Sequence, residues 1–163
     1  MKWPMVEIGK VCVPTEQCDP GRTPESYFRY IDIASIDKDR KVINGILAIL
    51  GKDAPSRARK MVHAGDVLVS TVRPNLNAVA MVPNELDGEI ASTGFCVLRP
   101  DHKLIDGKYL FYRTITSDFV SCLVARMKGA NYPAVTDGTV KATETPLPPP
   151  SEQRRIVEIL DQA

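Results

Sequence analysis

A proline-rich segment near the end of the chain, followed directly by an amphipathic stretch, constrains the fold more than any other feature of the sequence. Pro146 and residues 148–150 cannot donate backbone hydrogen bonds, so they hold an extended path. Ser151 then offers an N-cap, and Glu152 places negative charge where the dipole of a helix favours it. The sequence therefore predicts a helix that begins at Ser151.

This terminal helix carries an apolar stripe that must be covered. The apolar residues fall on one side of it with spacings of one, three and four, whereas the charged residues lie elsewhere. The stripe is still running at the last residue, so we expect something outside this segment to cover it. The residues predicted to contact a partner helix are Ile156, Val157, Leu160 and Ala163.

Size and composition are those of one soluble globular domain. The chain has 163 residues, of which 44% are hydrophobic and 25% are charged. Its beginning lacks the apolar run of a signal peptide, and no stretch approaches the roughly 18 apolar residues of a membrane span. We therefore expect a cytoplasmic protein that does not enter a membrane.

Four cysteines show neither a Cys-x-x-Cys pair nor a regular framework. The two histidines, His63 and His102, do not stand at zinc-ligand spacing from them. This pattern predicts four reduced thiols, mostly buried, and no metal site.

The pattern of apolar residues predicts strands in the first part of the chain and helices in the second. Residues 67–72 form the most secure strand because they are rich in β-branched side chains. From residue 108 to 127 the apolar residues recur every four positions, which predicts a buried helical face, and Ser117 with Asp118 could start a second helix within it. The last extended piece is predicted between Val140 and Leu147. Further strands are predicted over residues 28–33, 78–82 and 90–98, while residues 42–50 fit either a hairpin or a loop crossing.

This order of elements predicts an α+β fold. The sheet is expected to be mixed or mainly antiparallel because strands and helices do not alternate regularly, with helices packed on it and the terminal helix following.

Positive charge is concentrated in one part of the chain. Residues 52–80 contain five basic and two acidic residues, a local charge of +3 within a chain whose net charge is only +1. A basic stripe on a neutral body suits a protein that meets nucleic acid on one face. The alternative is a solvated loop that happens to contain lysine and arginine.

The candidate recognition surface lies in residues 54–60 and 70–77. Arginine presents a planar fork that can pair with phosphate or with guanine O6 and N7, and asparagine can read adenine. Phosphate contact is favoured for Arg57 and Arg59, because most protein–DNA hydrogen bonds go to the backbone. Alternatively, residues 74–77 form only a turn that uses asparagine for its backbone tolerance. The residues predicted here to bind DNA are Arg57, Arg59, Lys60, Ser70, Thr71, Arg73, Asn75 and Asn77.

A second basic and aromatic cluster follows the long helical stretch. Lys128, Asn131 and Tyr132 are predicted to bind DNA, together with the nearby cation of Arg126. Simple capping is the alternative, since cations followed by Gly129 are also typical of a helix C-terminus. Residues 91–95 form a small, hydroxyl-rich segment that fits either a close approach to a ligand or a glycine bulge.

Several motifs together resemble one known family. Residues 3–11 resemble its amino-terminal entry, residues 65–70 its "GDVLxS" strand, and residues 129–135 the segment before its final strand. The proline-rich lead with Glu-Gln-Arg-Arg-Ile-Val resembles its junction with a conserved helix. In this order the motifs resemble a specificity subunit of a type I restriction-modification system. The resemblance implies a target recognition domain over residues 1–147, with a junction and the start of a conserved spacer helix over 148–163.

The resemblance also implies a division of labour. The chain would read one half of a split target in double-stranded DNA without catalysing a reaction. Methyltransferase subunits, which use S-adenosylmethionine, would be direct partners, and a restriction subunit would be an indirect one. ATP and magnesium are likewise expected only on partner subunits, so the chain itself is expected to hold no cofactor. One recognition domain instead of the usual two implies either a half-subunit that associates with itself through the terminal helix or a fragment.

Two other classes of function compete with this interpretation. Pro100-Asp101 followed by Asp106 and Lys108 superficially matches the signature of metal-dependent nucleases. The gap between Asp101 and Asp106, however, is too short for the hairpin that usually separates these elements. The recognition end of a fused modification enzyme is a second enzymatic alternative, although a glycine-rich cofactor loop and a polar-Pro-Pro-aromatic motif are absent from the sequence. A module that serves only protein interaction through its terminal helix is the third possibility.

Overall fold

The computed structural model describes residues 2–163. Its four α-helices lie in the second half of the chain, and none of them is long and apolar enough to cross a membrane. The helices are α1 (Gly107–Thr114), α2 (Ser117–Val124), α3 (Asp137–Ala142) and α4 (Pro150–Asp161). The strands are β1 (Met5–Glu7), β2 (Cys12–Val13), β3 (Tyr27–Ile31), β4 (Ile36–Asp37), β5 (Val42–Ile43), β6 (Ala48–Leu50), β7 (Ala58–Met61), β8 (Val67–Ser70), β9 (Val79–Met81), β10 (Ile90–Ser92), β11 (Phe95–Pro100) and β12 (Glu144–Pro146).

Two four-stranded sheets form the centre of the fold. Their strand orders are β6-β3-β10-β7 and β2-β11-β8-β9, and two-stranded pairs β1-β12 and β4-β5 complete the set. Among the strands described, β3 and β10 run parallel and every other pair is antiparallel. The α+β fold with a mixed, mainly antiparallel sheet is therefore confirmed.

The sheet that contains β8 and β11 is buried on both faces. Along β8, Val67 and Val69 pack with the helices, whereas Leu68 packs in a second cluster with Phe95 and Val97 of β11. Successive side chains of a strand point to opposite faces, so two cores on either side require an unbroken apolar run. This explains why the sequence predicts a strand that starts at Val67, although β8 ends at Ser70, before the predicted end at residue 72.

Strand bounds differ from the predictions where a turn interrupts an apolar run. The stretch 90–98 forms two strands, β10 and β11, because the chain turns at Thr93 and Gly94. Residues 42–50 are a loop crossing, since β5 pairs with β4 while β6 pairs with β3. Gly45 has a φ of +64°, a conformation that glycine adopts without strain, and it lies between these two strands.

The long helical stretch is divided as the sequence suggested. Helix α1 ends at Thr114, and the side chain of Thr116 accepts a hydrogen bond from Phe119 N at 3.2 Å to start α2. Phe119 and Leu123 are buried, so the helical face predicted between residues 108 and 127 is confirmed as two helices.

Two predictions about the end of the chain were wrong in detail. Val140 does not begin an extended piece but lies in α3, because the Thr136 hydroxyl accepts a bond from Thr139 N at 3.1 Å and caps a helical turn that buries Val140. Within residues 140–147, the strand is β12 alone. Helix α4 begins at Pro150 with Pro149 as its N-cap, one residue before Ser151. Proline is well suited to the first helical position because its missing N–H would have no intrahelical partner there.

Gln153 locks helix α4 onto the body of the domain. Its side chain is 1% exposed, and its Oε1 accepts a bond from Asp106 N at 2.7 Å. Its amide nitrogen donates to Leu104 O at 3.2 Å and to Pro148 O at 2.9 Å. Lys108 adds an ion pair to Asp161 at 3.0 Å near the other end of the helix. The helix is therefore fixed in direction relative to the two sheets.

Replacing Gln153 with alanine is expected to lower the free energy of unfolding by about 2–3 kcal/mol, because the part-buried Asp106 N–H and Leu104 carbonyl and the buried Pro148 carbonyl lose their partner. Urea unfolding followed by circular dichroism measures this loss. Gln162→Ala, at the exposed end of the same helix, is the matched control and should change stability by less than about 0.5 kcal/mol. Equal effects of the two variants would show that the Gln153 bonds contribute nothing.

An ion-pair network joins three segments of the chain. Asp66, which is 1% exposed, pairs with Arg99 of β11 through two bonds of 3.0 and 2.9 Å, and it also accepts from His63 N at 2.9 Å. The third arm of the Arg99 guanidinium donates to both oxygens of the exposed Glu16 at 2.9 Å. These bonds hold the pKa of the Glu16 carboxyl below its ordinary value. The backbone N–H of His63 and all three guanidinium nitrogens of Arg99 therefore donate to a carboxylate within this network.

All four cysteines are free thiols, but they are not mostly buried as predicted. Cys96 is buried, Cys12 and Cys18 are partly buried, and Cys122 is exposed. Burial raises the pKa of Cys96 to about 12 and that of Cys12 to about 11, so both stay protonated near neutral pH. Cys122 lies on the outer side of α2, whose inner side is formed by Phe119 and Leu123.

Candidate nucleic-acid interface

Loops from distant parts of the sequence lie side by side at one edge of the sheets. The turn between β10 and β11 is in the middle: Thr93 N donates to Arg57 O at 2.9 Å, and Thr71 N donates to Gly94 O at 2.9 Å. The segment before β7, the β10–β11 turn and the segment after β8 are therefore held together by backbone hydrogen bonds.

The loop after α2 extends this row. Arg73 N donates to Pro133 O at 2.7 Å, and Lys128 and Ala134 exchange two backbone hydrogen bonds of 2.9 Å that close the loop between them. A scaffold of paired strands thus presents four adjacent segments. We call this row the loop edge, and it comprises residue 57 and residues 92–94, 71–73 and 128–134.

The exposed side chains of the loop edge are mostly cationic or able to form hydrogen bonds. Within residues 2–163, Arg57, Arg73 and Lys128 form no ion pair. Their charges are therefore available to an anionic partner. The exposed polar and aromatic residues of the row are Arg57, Arg73, Thr93, Lys128, Asn131 and Tyr132, and Asn75 is exposed on the adjoining turn.

Two of the predicted DNA-binding cations are engaged within the domain. The Lys60 ammonium donates to Phe95 O at 2.5 Å and to the Asp137 carboxylate at 2.6 Å, and its side chain is only 13% exposed. Arg59 donates to Ala58 O at 2.9 Å and lies 3.5 Å from an Asp19 oxygen. Lys60 therefore serves to connect β7 to α3, and we leave it out of the interface, while DNA contact by Arg59 stays a prediction.

Ser70, Thr71 and Asn77 also use their side chains internally. The Ser70 hydroxyl donates to Val72 O at 2.8 Å, and that of Thr71 donates to Gly94 O at 3.0 Å; both residues are buried. These two residues hold the loop edge together without being available on it. We assign both a structural role, which corrects the prediction that they contact DNA directly.

Asn77 is the hub of a separate structural contact. Its amide nitrogen donates to Thr114 O at 3.0 Å, and its side-chain oxygen accepts from the Lys41 ammonium at 3.0 Å. Its φ of +50° is left-handed, a conformation that asparagine tolerates. Burial lowers the pKa of the Lys41 ammonium. The structure thus favours the turn interpretation for Asn77, whereas Asn75 remains exposed and can still act as a base reader.

Thr93 is the residue at the loop edge that sequence reasoning did not assign. The segment 91–95 was noticed for its hydroxyl groups and glycine, and the structure supports the interpretation as a bulge. A register shift marks an irregularity between Ala91 and Ser92, as a bulge would. Thr93 is exposed at the middle of the row, whereas Gly94 is buried beneath the side chain of Ile33, whose Cδ1 would lie 2.6 Å from a Cβ at that position.

The stripe of the terminal helix is divided between an internal and an external face. Val157 is only 8% exposed and packs in the core with Ile156 against it, so the prediction that Val157 waits for an outside partner was wrong. The domain itself covers that side of α4. Ile159 and Leu160 are 59% and 39% exposed, and Ala163 is exposed. An outside partner therefore has Ile159, Leu160 and Ala163 to contact.

The residues of the nuclease alternative have structural roles. The Asp106 carboxylate caps α1 by accepting from Lys108 N at 2.8 Å and Tyr109 N at 3.0 Å, and the Lys108 ammonium pairs with Asp161. Asp101 accepts from Lys103 N at 3.0 Å in a turn. Among residues 2–163, no group of three acidic, histidine or cysteine side chains is arranged to hold a metal ion.

The geometry defines a class of protein: an α+β domain that presents a cationic row of loops from a rigid pair of sheets, followed by a fixed helix. Residues 3–163 match the family model described as the type I restriction modification DNA specificity domain, and the chain belongs to this family. The match includes the terminal helix as well as the two sheets.

Individual relatives agree with the family. The chain is 28% identical over 111 residues to the type I restriction enzyme HindI specificity subunit of Haemophilus influenzae, covering 67% of this chain and 24% of that protein. It superposes on the crystal structure of the HsdS subunit from Thermoanaerobacter tengcongensis with a TM-score of 0.92 and 45% identity, covering 98% of this chain and 41% of the other. It thus spans about a quarter of the curated relative and about two fifths of the solved chain.

Two further structures are similar. A chain from work on complex assembly and conformational transition of the type I R-M system is 46% identical, with a TM-score of 0.93 and coverage of 99% of this chain and 42% of that one. The S subunit from M. genitalium is 14% identical with a TM-score of 0.61 over 99% of this chain and 38% of its own length, a likeness of fold alone.

Proposed function

We propose that this chain is a sequence-specific DNA recognition module that reads one half of a bipartite target. The observation that carries the proposal is the loop edge, on which three cations that form no ion pair within residues 2–163 lie beside exposed threonine, asparagine and tyrosine side chains. Phosphate contacts by cations supply affinity and register, while hydrogen bonds to base edges supply sequence choice. The loop edge contains both kinds of group on one rigid support.

Arg57 and Lys128 are suited to the phosphate role because they lie at the two ends of the row. Thr93, Asn131 and Asn75 are shorter, neutral groups, which suits them to base edges or to bridging waters. Family membership supports this assignment of function, and the nuclease alternative has no support from either the comparisons or the geometry.

The experiment that tests recognition is selection from a pool of random duplex DNA by the purified chain together with its methyltransferase subunits. We expect one short sequence to be enriched, with competitor DNA of unrelated sequence bound at least about 1000-fold more weakly. Enrichment of no sequence at all would contradict the proposal and would favour a module that serves protein interaction only.

We further propose that methylation and cleavage belong to partner subunits, with S-adenosylmethionine, ATP and magnesium bound there. The methyltransferase would be the direct partner and the restriction subunit an indirect one. Helix α4 is the proposed dock, either for a partner helix or for a second copy of this chain. Its support is the pair of exposed apolar side chains Ile159 and Leu160 on a helix that Gln153 holds in a fixed direction.

Changing both Ile159 and Leu160 to aspartate should abolish this association without unfolding the domain. The two side chains are exposed here, so we expect a change in the free energy of unfolding within about 0.5 kcal/mol. Co-purification with the methyltransferase and light scattering of the chain alone measure the association. Gln162→Asp, on the same helix, should leave it intact. Wild-type association by the double variant would place the contact elsewhere.

A further inference from the structure

Arg73 and Tyr132 form a pair that joins two loops of the loop edge. The guanidinium carbon of Arg73 lies 5.4 Å from the centroid of the Tyr132 ring, within the range of a cation–π contact. Tyr132 is 74% exposed, which is unusual for a large aromatic side chain that only fills space. The ring therefore lies beside the guanidinium of an arginine that is itself exposed at the surface.

The backbone at Arg73 is held in a conformation that arginine rarely adopts. Its φ and ψ are +46° and +60°, and it precedes Pro74, which disfavours compact conformations in the residue before it. The bonds from Arg73 N to Pro133 O at 2.7 Å and from Leu76 N to Arg73 O at 2.9 Å maintain it. Such outliers persist only where the surroundings fix them, and they concentrate at functional sites.

The loop that carries Tyr132 is equally constrained. Gly129 has a φ of +106°, and a Cβ there would lie 2.8 Å from Tyr132 O, so the turn is too tight for a side chain. The paired bonds between Lys128 and Ala134 close the loop at its base. Both the arginine and its aromatic support are therefore positioned before any ligand arrives.

Resting on the proposed DNA recognition, we propose that Arg73 reads a guanine in the major groove and that Tyr132 is its positioning residue. A phosphate needs only nearby charge, whereas guanine O6 and N7 need a fork in a fixed plane. A guanidinium in contact with an aromatic ring, on a constrained backbone, is suited to supply such a plane. Arg57 and Lys128 have no comparable aromatic support among the contacts of residues 2–163, which suits the phosphate role proposed for them.

The test starts from the duplex that the wild-type complex selects. Each guanine is replaced in turn by 7-deazaguanine, which lacks the N7 acceptor but still pairs with cytosine. At one guanine we expect wild-type affinity to fall several-fold, by less than the roughly 5- to 150-fold expected for loss of a complete bidentate contact, because O6 can still accept one bond. Arg73→Ala should bind the two duplexes equally, and Arg73→Lys should show a smaller preference than the wild type because an ammonium lacks the planar fork. Thermal unfolding of both variants checks that they are folded.

Tyrosine variants separate positioning from direct contact. Tyr132→Phe keeps the ring and should retain the preference for guanine over 7-deazaguanine, whereas Tyr132→Ala should lose most of it. The inference is overturned if no guanine responds to the substitution, if Arg73→Lys behaves like the wild type, or if Tyr132→Phe is as defective as Tyr132→Ala. Selection of no sequence by the wild type would instead overturn the proposed function itself, so the two failures are distinguishable.

Discussion

Replacing Asp66 with alanine is expected to lower the free energy of unfolding by about 3–5 kcal/mol, because it removes the buried partner of Arg99 and leaves that guanidinium only the exposed carboxylate of Glu16. Asp66 is 1% exposed and holds Arg99 through two bonds of 3.0 and 2.9 Å. It also accepts from His63 N, whose bond would be lost as well. Small domains are typically stable by only about 5–15 kcal/mol, so this variant should be close to unfolding at 37 °C.

Urea unfolding at neutral pH measures the effect of the Asp66 change. Glu16→Ala is the matched control because Glu16 binds the same guanidinium from the solvent side, where its carboxylate is exposed and water can replace it. We expect a clearly smaller loss for this control. If the two variants were equally destabilised, the buried pair would have no special role in joining β8 to β11.

Replacing Arg57, Arg73 and Lys128 together by alanine is expected to weaken DNA binding more than 100-fold. Each lost contact of this kind costs about 1–3 kcal/mol, and about 1.4 kcal/mol corresponds to a factor of ten. The slope of log affinity against log salt should also become shallower by about two to three units, because fewer counterions are released. Fluorescence anisotropy with the selected duplex, at several salt concentrations, measures both quantities.

The control for this variant removes the same charge elsewhere. Lys10, Lys103 and Arg154 are exposed and lie outside the loop edge, so their triple alanine variant has an identical net charge. We expect it to keep most of the affinity and slope of the wild type. Loss of binding in both variants to the same extent would mean that overall charge, and not the loop edge, attracts the DNA.

Local features of the fold were readable from the sequence because they depend on neighbouring residues. The break between α1 and α2 follows from Thr116 and the polar residues after it, and the strand at 67–70 follows from an unbroken apolar run. The start of α4 was misplaced by one residue because Pro150 competes with Ser151 for the first turn. Errors in the ends of helices stay within a residue or so when the residues that compete for the first turn are neighbours in the sequence.

Partners that are distant in sequence were the main source of error at the candidate site. Lys60 and Arg57 look alike along the chain, yet Lys60 meets Asp137 from α3 whereas Arg57 remains exposed. The sequence predicts Asn77 as a base reader, but in the structure its side-chain oxygen accepts a hydrogen bond from the Lys41 ammonium. Residue type and spacing do not reveal such long-range contacts, so the sequence overstated how many of the predicted residues have free side chains.

In the proposed function, the fixed helix α4 would link recognition to assembly. Gln153, Lys108 and Asp161 hold it against the domain, so a partner docked on Ile159 and Leu160 would have a defined position relative to the loop edge. A change of direction at this helix would move the partner with respect to the DNA. Stability of the Gln153 contact is therefore expected to matter for methylation even though Gln153 is buried and far in sequence from Arg57 and Arg73.

The most direct measurement of the central proposal is a genome-wide map of methylated adenines in cells that co-express this chain with its methyltransferase subunits. With the wild-type chain, the marks should share one sequence, and the Lys10, Lys103 and Arg154 control should mark the same sites. The Arg57, Arg73 and Lys128 variant should leave that sequence unmethylated. Marks at the same sites and to the same extent with this variant would contradict the proposal that the loop edge selects the target.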